Sequence, residues 1–182
     1  MELYHGSPHL FDTFDFDRIG ENGRLEGPGV YFTPIESIAK AYAGDDGYIY
    51  TVDWHGEKTL NSTRHTLSAR AIYGIMNGCD VANDYLSNYG DKTFTPVDNI
   101  LRMAFLAETD ATDSDLELIS SIATATGDLA GTLSIVHRET GCDHTIVTPI
   151  WGQDKRPHDV YIAFTPDAFT IEHVIKQNKG DR

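Results

Sequence analysis

Cysteine is scarce: Cys79 and Cys142 are the only two in 182 residues, and they do not form a C-x-x-C pair. That excludes a disulfide scaffold and a thioredoxin-type redox motif, and it predicts two reduced core residues of a cytosolic protein. Basic residues are short as well: 14 Lys and Arg stand against 28 Asp and Glu, a formal charge of −14. With no run of Lys or Arg, such a chain repels phosphate backbones, which argues against direct nucleic-acid binding. A basic protein surface, or a small ligand in a locally neutral pocket, fits better. No apolar stretch approaches the ~20 residues that span a bilayer, and the opening residues lack the basic, apolar and small-residue pattern of a secretory leader. The expected location is the cytoplasm, without membrane contact. The histidines show no H-E-x-x-H or comparable spacing, so no metal site is expected.

The length suits one domain, residues 1–182, able to bury most of its surface without staples. "ELYHGS" reads as a strand with Leu3 and His5 on one face and Tyr4 on the other. The following "PHLFDTFDFDRIGENGRLEGPG" reads as a long loop, anchored early by Phe11, Phe14 and Phe16. Its "GENGRLEGPG" part lacks G-x-G-x-x-G and a Walker lysine, leaving loop punctuation or a flap as its readings. "GVYFT" is a second strand, running into a helix expected from Pro34 to Ala43. Thr33 is the expected N-cap, Glu36 closes a capping box, and Gly44 is the stop. "YIYTVDW" is a further strand.

From about Ser62 to Leu129 the apolar spacing turns helical, in "TLSARAIYGIM", "TPVDNILRMAFLAE" and "SDLELISSIATATG". "LAGTLSIVHRETG" is another candidate helix, and "DHTIVTP", "HDVYIAFT" and "AFTIEHVIK" read as strands. The fold class is α+β, with strands at both ends of the chain and a helical block between them.

His5, Tyr31 and Tyr42 are the residues singled out for chemistry. The two tyrosines lie on a strand and on the next helix, where their rings can face each other and hold a flat aromatic ligand. "LYHGS" and "GPGVYFTPIESIAKAYA" resemble the corresponding motifs of the His-Tyr-Glu class of ADP-ribosyltransferases, the group of diphtheria toxin and the poly(ADP-ribose) polymerases. They are also similar to small ART domains of phages and mobile elements, and more faintly to a phage anti-CRISPR ADP-ribosyltransferase. The likeness covers about the first fifty residues well and the last forty loosely.

The resemblance implies a split mixed β-sheet core with the helical block as an insertion, and NAD as co-substrate. It implies that His5 hydrogen-bonds an NAD ribose hydroxyl and that the Gly6 backbone grips the nicotinamide carboxamide. Tyr31 and Tyr42 would sandwich the nicotinamide ring. Ala39 stands where the polymerases carry a carboxamide-binding serine, a lost hydrogen bond worth ~1 kcal/mol.

The class also carries a glutamate at the start of a late strand, where it stabilises charge as nicotinamide leaves. Aligned on "VYIAF", that position falls on Val160, with Asp159 one residue earlier. Asp159 serves as the catalytic acid only through a shifted register or a bulge. Asp143 and Asp154 are the reserves, and a strand-edge charge or a protein without the acid are the other readings. The implied function is mono-ADP-ribosyl transfer from NAD to a side chain of a basic host or defence protein, as a toxin-like or anti-CRISPR effector. A NAD glycohydrolase and a non-catalytic acidic binder of a nucleic-acid-binding protein are the alternatives.

Overall fold

The computed structural model describes residues 1–19, 27–79, 114–148 and 157–178. Two sheets organise them. In the first, β1 (Glu2–Ser7) and β7 (Phe169–Lys176) flank β3 (Tyr48–Trp54), all antiparallel. In the second the order is β2 (Val30–Phe32), β6 (Val160–Ala163), β5 (His144–Val147) and β4 (Thr59–Leu60), with β4 parallel to β5. Among the described residues one isolated antiparallel bridge joins the sheets, in which Tyr4 and Thr33 exchange N–H···O bonds of 2.8 and 2.9 Å.

Strand alternation sorts the side chains into separate cores. Leu3, Val52, Trp54 and Phe169 of the first sheet meet Val30, Phe32 and Ala163 of the second in one aromatic-rich core, backed by Phe14, Phe16 and Tyr161. The other face of the second sheet, with Ile162, packs against α2 (Ala69–Gly78), α3 (Asp115–Thr126) and α4 (Leu129–Thr140). Each fully buried aliphatic there, such as Ile75 or Leu133, contributes roughly 1.5–3 kcal/mol. Against the outer face of β1 and β3 lies α1 (Glu36–Ala43), through Ala39, Ala43, Ile49 and Tyr4. The fold is α+β, as the alternation and helical spacing indicate.

Two expectations need correction. The first helix starts at Glu36, two residues later than expected, and no capping box forms. Thr33 is held extended by its bridge to Tyr4, a geometry that Pro34 also favours for the residue before it. Its hydroxyl accepts the Ile35 N–H at 3.2 Å, and Glu36 pairs instead with Lys40 at 3.1 Å. The stop at Gly44 is as expected. The second correction concerns the start of the helical block: α2 begins only at Ala69, while "LAGTLSIVHRETG" forms α4 as the sequence indicates. The segment before α2 is fixed by buried Asp115, whose carboxylate accepts the Thr66 and Leu67 N–H groups at 2.9 and 3.1 Å. "TPVDNILRMAFLAE" lies outside the described residues.

Just after β7, Gln177 ties the first sheet to α1. Its N–H donates to the Gly47 carbonyl at 2.8 Å, and its side-chain amide, oriented to donate, reaches Lys40 and Gly44 oxygens at 3.2 and 3.3 Å.

Candidate active site

The two sheets part immediately after the Tyr4–Thr33 bridge. In an antiparallel ladder, residues two apart point their backbone groups the same way, so a continued ladder would join Gly6 to Tyr31. Instead His5 Nδ1 takes the Tyr31 carbonyl at 2.8 Å. The N–H and C=O of Gly6 point towards that opening, a donor and an acceptor side by side. This is the pair that a carboxamide complements.

Because Nδ1 meets a carbonyl, it carries the proton. Burial holds the His5 pKa below its ordinary value, against the opposing pull of the Tyr31 carbonyl. The ring is therefore neutral at pH 7, and Nε2 keeps a lone pair able to accept a hydroxyl hydrogen. Four aromatic rings wrap it: Phe14 at 4.9 Å, Phe32 at 5.8 Å, Tyr50 at 6.0 Å and Phe11 at 6.2 Å between centroids.

Gly6 has a second reason to be glycine. A Cβ there would lie 1.8 Å from the Ala39 carbonyl oxygen and 2.8 Å from the Ala43 nitrogen. The missing side chain lets α1 press its backbone onto β1, whatever binds in front. Ala39 itself is 1% exposed, packed with Ala43 and Ile49. Tyr42, in the last turn of the same helix, is 76% exposed.

Tyr31 lies opposite Ile162 and shares its face, half-buried against the helical core, with its hydroxyl donating to the Gly27 carbonyl. Alternation from Thr33, the bridge partner of Tyr4, puts Tyr31 on the α1 side of the sheet. Both tyrosines therefore belong to one side of the molecule.

The acid behaves differently. β6 pairs with β2 and β5 in unbroken register, and the one irregularity among these ladders falls between Thr51 and Val52, where β3 meets β7. No bulge falls within β6, which begins one residue after Asp159. The Asp159 carboxylate accepts the Thr148 hydroxyl at 2.7 Å, and its charge helps raise the Tyr161 pKa after burial. Val160, packed against the helical core, is the residue that shares a face with Tyr31 and Ile162. The condition under which Asp159 would serve as the acid, a shifted register or a bulge, is not met within β6 from Val160 to Ala163. Asp143 is committed elsewhere: burial raises its pKa, but the Glu57 and Lys58 N–H groups and His144 outweigh this and hold it low. Asp154 lies outside the described residues.

The sequence reading missed Tyr50. Fully buried on β3 and in register with His5, it stacks on Phe11 at 4.2 Å and accepts the Phe11 N–H at 2.7 Å. Pairing "LYHGS" with "YIYTVDW" as antiparallel neighbours would have found it, since that register sets Tyr50 opposite His5 and Val52 opposite Leu3. Among the described residues no three His, Cys, Asp or Glu side chains group as a metal site, and no helix is long and apolar enough to cross a membrane.

A carbonyl-fixed neutral histidine, the glycine that follows it and two tyrosines on one side are what the structure gathers where the two sheets part. The family described as ADP-ribosyltransferase in polyvalent proteins matches residues 1–169, and the chain belongs to it. No curated protein and no solved structure matches the chain.

Proposed function

We propose that the chain binds NAD in the opening between β1 and β2 and transfers its ADP-ribose to a protein side chain, one unit at a time. The observation that carries this is the 2.8 Å bond between His5 Nδ1 and the Tyr31 carbonyl, which frees Nε2 for a ribose hydroxyl beside the Gly6 backbone. Gly6 orients the carboxamide through its N–H and C=O, and Tyr31 and Tyr42 flank the nicotinamide ring. The bond that breaks joins nicotinamide to its ribose: nicotinamide leaves with the electron pair, and the oxocarbenium-like sugar is captured by an acceptor nucleophile that loses its proton. The split core with a helical insertion belongs to this reading, and the isolated Tyr4–Thr33 bridge supports it.

The charge of −14 favours an acceptor on a basic protein surface over nucleic acid. The likeness to phage and mobile-element domains extends the reading to an effector acting on host or defence proteins inside the cell. Asp159 is not a catalytic residue in it. Labelled NAD incubated with host lysate tests the proposal. A labelled protein band with nicotinamide release is expected, whereas nicotinamide release alone gives a glycohydrolase.

One observation favours a second reading. With the Asp159 carboxylate engaged by Thr148 and Val160 packed with Tyr31 against the helical core, the chain would hold NAD without cleaving it and act as an acidic binding protein. Calorimetry showing bound NAD that is never consumed would select this reading.

A further inference from the structure

We infer that Tyr50 is a positioning residue that clasps the loop after β1 shut over His5. The inference rests on the NAD-binding reading of His5. Tyr50 lies across the ladder from His5, and it is 0% exposed. Its phenol oxygen accepts the Phe11 N–H at 2.7 Å and lies 3.2 Å from both the His9 and Phe11 carbonyl oxygens, either of which can take its proton.

That one atom gathers three backbone groups of a segment without regular structure. The segment returns two rings to the site: Phe11 stacks flat on Tyr50, and Phe14 meets His5 edge-on at 4.9 Å while also touching Phe11 at 4.7 Å. The Ser7 hydroxyl also accepts the His9 N–H at 3.1 Å, and Phe14 packs on Phe32 and Phe169 at 5.4 and 5.0 Å, while Phe11 is held over the imidazole side through its stack and its N–H bond to Tyr50. A wall of this kind fixes the imidazole plane and keeps water from the Tyr31 carbonyl bond, so Nε2 meets the ribose in one orientation.

Tyr50→Phe removes the oxygen and keeps the ring and its stack. Three readouts apply to the full chain: hydrogen exchange at the Phe11 amide, the nitrogen chemical shifts of the His5 imidazole, and kcat and KM for NAD. The expected result is fast exchange at Phe11, His5 signals moved towards a mixture of tautomers, and kcat/KM down about tenfold, with exchange in the β1–β3 ladder unchanged. A freed Phe11 amide with His5 signals and kcat/KM unmoved would overturn the inference. Should Tyr50→Phe not fold, Phe14→Leu thins the same wall without touching the phenol. It should move the His5 signals in the same direction, and static signals would count against the clasp. If the wild type neither binds nor cleaves NAD, the NAD reading fails, while the amide exchange and imidazole shifts still judge the clasp.

Discussion

Gly6→Ala adds one methyl group at the tightest contact between α1 and the sheet. The new Cβ would sit 1.8 Å from the Ala39 oxygen and 2.7 Å from its carbonyl carbon, where real contacts are essentially never under 3.0 Å. α1 must therefore retreat by at least the difference, 1.2 Å. The obstacle is helix backbone, so no side chain can swing aside. Overpacking of this kind costs about 1–3 kcal/mol, while alanine recovers up to ~1 kcal/mol by restricting the unfolded chain. A net loss of about 1 kcal/mol should lower Tm by roughly 2–4 °C in a domain of this size. Calorimetric melting reads that shift, and NAD titration of the folded variant reads the displacement of Tyr42. A variant melting within about 1 °C of wild type would refute the close approach of α1 and leave ligand contact as the sole reason for a glycine at this position.

Four further outcomes are expected. His5→Asn keeps a donor where Nδ1 stood but has nothing at Nε2, so NAD turnover should fall more than about tenfold with the melting curve little changed; His5→Ala would confound this by emptying an aromatic cage. Tyr42→Ala, at a site 76% exposed, should alter stability by less than ~0.5 kcal/mol yet weaken NAD binding about two- to thirteenfold, which calorimetry resolves. Asp159→Asn should change nicotinamide release less than about twofold, whereas Val160→Glu, setting a carboxylate on the Tyr31 face, should raise it at some cost in stability. Because burial lowers the His5 pKa from 6.5, the unfolded state binds the extra proton first as pH falls. The His5 contribution to stability is therefore intact above that value and is lost progressively down to the folded-state pKa. An imidazole NMR titration with a midpoint at or above 6.5 would contradict this.

The opening fifty residues were the most legible part of the sequence. Alternation in "ELYHGS" and "YIYTVDW" marks both strands, and the glycine after "AYA" marks the end of α1, because each signal is local. The start of α1 was misread for a non-local reason: Thr33 is spent on a bridge to Tyr4, which no property of "FTPIE" announces. The same limit explains Asp159. Its face depends on the register of β6 against β2 and β5, and the sequence around "HDVYIAF" allowed either answer until that pairing was known. Tyr50 stayed hidden because its role depends on the backbone of Phe11, some forty positions upstream. The histidine and glycine were found early because a resemblance named them, but the steric need for Gly6 comes only from where α1 lands.

Gln177 joins the far end of the described chain to the helix that carries Tyr42. On the ribosome this has a temporal meaning. His5, Gly6, Tyr31 and Tyr42 are made more than a hundred residues ahead of β7, which completes the first sheet, and of the amide that caps the end of α1. At elongation rates of 5–20 residues per second these residues wait on the order of 10 s for their final support. During that interval the nascent chain carries the residues proposed to meet NAD without the strand and cap that hold β1 and α1 in place, so their final arrangement follows the synthesis of β7 and Gln177.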